Sequence, residues 1–188
     1  MFFRVLMCLL LLCFSMPSFA QDMSVSDAYK AIPHKQTTFD AQQSRLAKAD
    51  AKYLEHYFYV ADIAVRARVM ALRGFWGQDK SLNVQDYDAQ VHKALSSFEV
   101  VNTPKHLKEA ETLLIGAIKD QQAFFHEWDK LEGDKRKEMG SNYVRHRLVL
   151  SAHQKLIRAY FLIKNAYPRE EQHNVEAFFD HLCALDFI

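Results

Sequence analysis

Glycine and proline are scarce in this chain, five and four in 188 residues, so few positions are set aside to stop a helix or bend a loop. Cysteine is scarcer in effect than its count of three suggests: Cys8 and Cys13 stand in the leading stretch "MFFRVLMCLLLLCFSMPSFA", and only Cys183 lies beyond it. One cysteine closes no intramolecular disulfide, so the domain is expected to rest on its apolar core, with Cys183 as a small buried side chain between Leu182 and Ala184. An excess of either charge is lacking too, with 24 Lys and Arg against 23 Asp and Glu. That balance offers no long-range attraction to nucleic acid or to an anionic membrane. The sequence contains no G-x-S-x-G, no H-E-x-x-H, no phosphate-binding glycine loop and no C-x-x-C-H. No reaction can be assigned on these grounds, and a non-catalytic protein is expected.

The leading stretch itself has a recognisable build. Arg4 gives a small positive start, Val5 to Phe14 are apolar, and Ser18 and Ala20 put small residues at −3 and −1 of a cleavage site. This pattern predicts a signal peptide over residues 1–20, export to the periplasm or the cell exterior, and no stable membrane span after cleavage. Residues 21–39 then read as an N-terminal arm with a short helix and a loop, and 40–188 as one helical domain.

Within that domain the apolar residues recur at helical spacing. In the run from Phe39 to Gly77, Leu54, Phe58, Ala61, Val65, Leu72 and Phe75 share one face, and Tyr53, Tyr57, Val60, Ala64, Ala67 and Ala71 an adjacent one. Two neighbouring stripes predict an inner helix closed by Gly74 and Gly77. A shorter helix follows with Val84, Tyr87, Val91, Leu95 and Phe98 inward. The next is expected to be capped by Thr103, with Pro104 at its first position, to bury Leu107, Ala110, Leu114, Ala117, Gln121, Phe125 and Trp128, and to end at Gly133. Another runs from about Ser141 to Pro168, and the last buries Val175, Phe178, Phe179, Leu182 and Leu185. The expected fold is all-α, an up-and-down bundle of four to five antiparallel helices.

Two kinds of site compete. The stretch "IPHKQTTFD" places His34, Lys35, Thr37 and Thr38 at what reads as a helix start, where free N–H groups favour an anion. The plainer reading is a ramp in which Thr37 and Asp40 form a capping box. Arg68 falls among Ala61, Val65 and Leu72, and a buried guanidinium requires a carboxylate partner or a bound anion. These residues support a protein that binds a small ligand or an envelope protein. The alternative is a metal- or cofactor-bearing bundle with a redox, storage or hydrolytic role. Its candidate metal-ion ligands are His56, His126, His153, Glu170, His173 and His181. Glu170 and His173 make the only Glu-x-x-His motif, and a symmetrical di-metal cage needs two.

Overall fold

The structure is a computed structural model that describes residues 37–77 and 81–183. Among them are six α-helices, three short 3-10 turns and no strand. The first helix, α1 (Lys48–Phe75), carries both predicted stripes, and every residue of both is buried. Burying two adjacent faces puts α1 at the centre of the apolar core, where each fully buried large side chain contributes about 1.5–3 kcal/mol.

Helix α1 begins later than its sequence pattern suggests. Residues 37–47 form a non-helical strap instead. Asp40 Oδ1 accepts from the N–H groups of Gln42 and Gln43, and Ser44 Oγ accepts from Leu46 N–H. These side-chain bonds offer the backbone an alternative to helical ones, as short polar residues commonly do. The expected capping box at Thr37 does not form, because Thr37 N–H donates to Asp180 on the last helix at 2.7 Å.

Helix α2 (Val84–Ser96) starts on the side chain of Asn83, in a capping box with Asp86. It packs Tyr87 against Phe125 near its start and leads into Phe98, which lies against Tyr57. Helix α3 (Lys108–Asp129) buries the predicted face in full, Gln121 included. Its entry differs from expectation. A 3-10 turn over Lys105–Leu107 follows Pro104, and the Thr103 hydroxyl binds Glu111 rather than capping a helix.

Gly133 does not close α3. It has φ +54°, a left-handed turn favoured by glycine, and opens a short helix, α4 (Gly133–Asn142). Sequence reading misses α4 because Met139 is the one sizeable apolar residue in "GDKRKEMGSN" and no periodicity emerges. Helix α5 (Arg147–Ala166) starts on His146 and ends before Pro168. It packs closely on α3, with Glu109 facing Arg158, Asp120 facing Lys155 and Glu127 facing Arg147. The pairs fall in opposite order along the two helices.

The last helix, α6 (Gln172–Cys183), buries Phe178, Leu182 and Cys183. Phe179, expected inside, is 40% exposed, because its ring packs edge-on over Tyr160 of α5 at the surface. The proposed signal peptide, most of the arm, and Leu185 lie outside the described residues. No helix among the described residues is long and apolar enough to cross a membrane.

Candidate functional site

Three elements converge at the C-terminal ends of α1 and α3. Helix α1 delivers Phe75 and Trp76, α3 delivers Trp128, and α4 crosses them with Gly133, Arg136, Lys137, Gly140 and Ser141. Between them lies an open cavity of about 550 Å³, a size suited to a small organic ligand. Its floor is the stack of Phe75 on Trp128, 4.9 Å between ring centroids. Trp76 stands 43% exposed, held edge-on between Trp128 and Tyr143.

The polar side of the cavity is made by α4. Trp128 Nε1–H donates to the Arg136 carbonyl at 2.9 Å, tying the buried indole to α4. Arg136 Nη1 in turn approaches the carbonyls of Trp128, Asp129 and Leu131 at 3.4–3.5 Å, tying α4 to the end of α3 and the turn that follows it. Its guanidinium also lies 4.7 Å from the Phe75 ring centre, a cation–π contact. Lys137, on the next position, projects into solvent with its side chain 83% exposed. The result is an aromatic pocket, with Trp76 at 73° to the Trp128 ring, and two cationic side chains, Arg136 and Lys137, along one edge.

Gly140 is what allows α4 to lie this close. A Cβ built there would meet Trp128 Cζ2 at 2.7 Å and Trp76 Nε1 at 3.2 Å. Alanine would gain up to about 1 kcal/mol in helix propensity. The fully buried Trp128 cannot yield, and overpacking of that kind costs about 1–3 kcal/mol. Gly140→Ala is therefore expected to lower stability by up to roughly 2 kcal/mol net, the clash cancelling at least the propensity gain. Urea unfolding followed by circular dichroism measures it, and a midpoint raised by the helix-propensity gain would show that α4 does not press on Trp128.

The predicted site residues are distributed differently. His34 and Lys35 lie outside the described residues. Thr38 is exposed on the strap, and Thr37 is held by Asp180. Arg68 is buried on α1 near Tyr87 of α2, where burial pushes the Tyr87 phenol well up against the opposing pull of the Arg68 charge.

The six candidate metal ligands are likewise spread over the molecule. His56 donates to the Ser97 carbonyl, His126 binds Asp88 beside Gln122, and His153 lies on the exposed side of α5. Glu170 accepts from Ser44 Oγ, Asn174 Nδ2 and the N–H groups of Arg45 and Glu171. His173 lies next to Asn174 on α6, and both ring nitrogens of His181 are engaged, with Asp62 and with Phe39 N–H. Among the described residues no group of three or more His, Cys, Asp or Glu side chains is placed to hold a metal ion.

Sequence reasoning missed Trp76 and Glu111. Trp76 follows Leu72 by four, so its phase was that of the inner face, but its place between Gly74 and Gly77 marked it as a helix end. Glu111 carried a clearer signal, four residues after Leu107 and three before Leu114 on the buried face. Its carboxylate accepts from Tyr53 Oη at 2.8 Å, from Lys108 Nζ at 2.7 Å and from Thr103 Oγ1. Burial pushes the Glu111 pKa up, but the hydrogen bonds from Lys108, Thr103 and Tyr53 outweigh it and hold the carboxyl below its usual range. Tyr53 is pushed up by its own burial and by that bond. The network is closed on itself, which suits a structural role at the end of the core opposite Trp128. In comparison with known proteins the chain matches no family model, no curated protein and no solved structure.

Proposed function

We propose that this chain is an exported, non-catalytic helical bundle that binds a small molecule with a flat apolar body and an anionic group, in the groove between Trp76, Trp128 and α4. The observation that carries the reading is Trp76. A large indole left half-exposed over a cavity, with an arginine and a lysine along its edge, is a ready surface for stacking and for charge pairing. Export rests on the N-terminal pattern alone. An up-and-down, antiparallel arrangement is supported by the order of the ion pairs between α3 and α5. It is also supported by the contacts of α2, whose start meets Phe125 near the end of α3 and whose end meets Tyr57 near the start of α1.

The chain has only two tryptophans, and both belong to the groove, so intrinsic fluorescence reports on it directly. Titration with a panel of aromatic and alicyclic carboxylates should find a ligand that shifts this emission. Trp76→Ala should then weaken binding about tenfold or more, as loss of an aromatic anchor does, while Trp76→Phe stays within a few-fold. Lys137→Ala should weaken it less and reduce its dependence on salt. An affinity measured by calorimetry that is the same in wild type and Trp76→Ala would remove the groove as the site.

A further inference from the structure

The strap, residues 37–47, is fastened to the rest of the molecule almost wholly by side-chain acceptors at and before α6. Thr37 N–H donates to Asp180 Oδ2 at 2.7 Å, Phe39 N–H to His181 Nε2 at 3.4 Å and Asp40 N–H to Asn174 Oδ1 at 2.8 Å. Arg45 N–H and the Ser44 hydroxyl donate to Glu170. Between these bonds the strap inserts Phe39, 7% exposed, between Phe58 of α1 and Phe178 of α6. At its other end it joins α1 through Ala47, which provides no side-chain cap.

One of these fastenings fixes a protonation state. A backbone N–H can only donate, so His181 Nε2 must be the bare nitrogen of a neutral ring. The proton then sits on Nδ1 and is donated to Asp62 Oδ1, 2.8 Å away. The ring is stacked on Phe58 at 4.8 Å, so it cannot turn to offer another edge without leaving the core. A second proton would put N–H against N–H at the Phe39 contact. That conflict falls on the strap.

We propose that the strap is an acid-released latch, docked while His181 is neutral and freed when the ring takes up its second proton. Asp62 is the charged partner of the ring, and Arg66 follows it four residues later on α1. Asp180 lies on α6 itself, Asp40 on the strap, and Lys164 of α5 shares a surface depression with Asp180. The Glu170 fastening acts in a separate range. Burial pushes Glu170 up, but its bonds to Asn174, Ser44, Glu171 and Arg45 outweigh this and hold it below the ordinary carboxyl range. With its folded-state pKa lowered, Glu170 keeps its full contribution until the pH falls into that range, well below neutrality. Release withdraws Phe39 and opens an aromatic slot between Phe58, Phe178 and His181.

The test follows amide exchange protection of Phe39, Asp40 and Arg45 in the full protein by NMR, corrected for intrinsic rates, with the His181 ring resonances read on the same samples. Across about pH 8 to 5, where imidazoles change charge, protection of these amides should fall about tenfold or more while α3 and α5 stay protected. The midpoint should coincide with that of the His181 ring. His181→Gln should show no step in this range, whether its strap is held or loose. Constant protection in the wild type, loss shared with α3 and α5, a midpoint that differs from the ring's, or a step that persists in His181→Gln would overturn the latch.

Discussion

Trp128→Ala should destabilise the protein by about 3–5 kcal/mol, the range for removing a large aromatic side chain from a core. Trp128 is 1% exposed and touches four other rings: Phe75, Trp76, Phe124 and Phe125. Truncation forfeits these aromatic contacts, each worth about 0.5–1.5 kcal/mol beyond simple burial. It also leaves the Arg136 carbonyl without the Nε1–H donor, at a further cost of about 1 kcal/mol if water does not reach it. One effect runs the other way. The space left by the indole adjoins the open groove, so water can enter and α4 can settle inward, which reduces the cavity contribution. The lower half of the range is therefore expected. Trp76→Ala makes the comparison sharp: its indole is 43% exposed, so its loss should cost no more than about 1 kcal/mol. Urea unfolding followed by circular dichroism decides between them, with the midpoint shifting at constant slope. A loss under about 1 kcal/mol for Trp128→Ala would mean that the ring cluster is not part of the cooperative core.

The same end of the molecule shows why some of this structure was legible in the sequence and some was not. Phe75, Phe125 and Trp128 were placed inside by periodicity, because each lies on a long helix whose repeat extends over several turns. Helix α4, which completes the groove, has no such repeat. Its position depends on the absence of a side chain at Gly140 and on hydrogen bonds from Arg136 to the end of α3, and neither leaves a pattern in the sequence. The strap was misread for a related reason. "FDAQQSRLAKAD" has the composition of a helix start, and its local bonding at Asp40 is indeed cap-like. What draws it away from helix is a set of acceptors more than a hundred residues later, Glu170, Asn174, Asp180 and His181. Long-range partners outweigh local propensity there, since four or more side-chain bonds and a buried Phe39 outweigh the small preference of eight or so residues for helix.

Glu111→Ala should cost about 2–4 kcal/mol at neutral pH. The three donors on this carboxylate do not contribute equally. The Tyr53 side chain is buried, and its hydroxyl would be left with only the Thr103 hydroxyl beside it. The Thr103 hydroxyl, part-buried, would lose the same partner. Each orphaned donor costs about 1–3 kcal/mol, less where solvent can reach it. Lys108 is 63% exposed and returns to water, so its ion pair adds well under 1 kcal/mol. Glu111→Gln retains one acceptor oxygen for Tyr53 but turns an amide toward Lys108, and about half the loss is expected. The pH dependence separates this account from simple packing. Because the folded-state pKa is lowered, the contribution of Glu111 is complete above its ordinary value of 4.5 and declines as the pH falls through and below it. The stability gap between wild type and Glu111→Ala should therefore be flat from neutral pH down to about 5 and then narrow. Unfolding free energies of the two proteins over that range provide the measurement. A gap that stays constant into the acid range would mean that the charge of Glu111 contributes nothing to holding the end of the core.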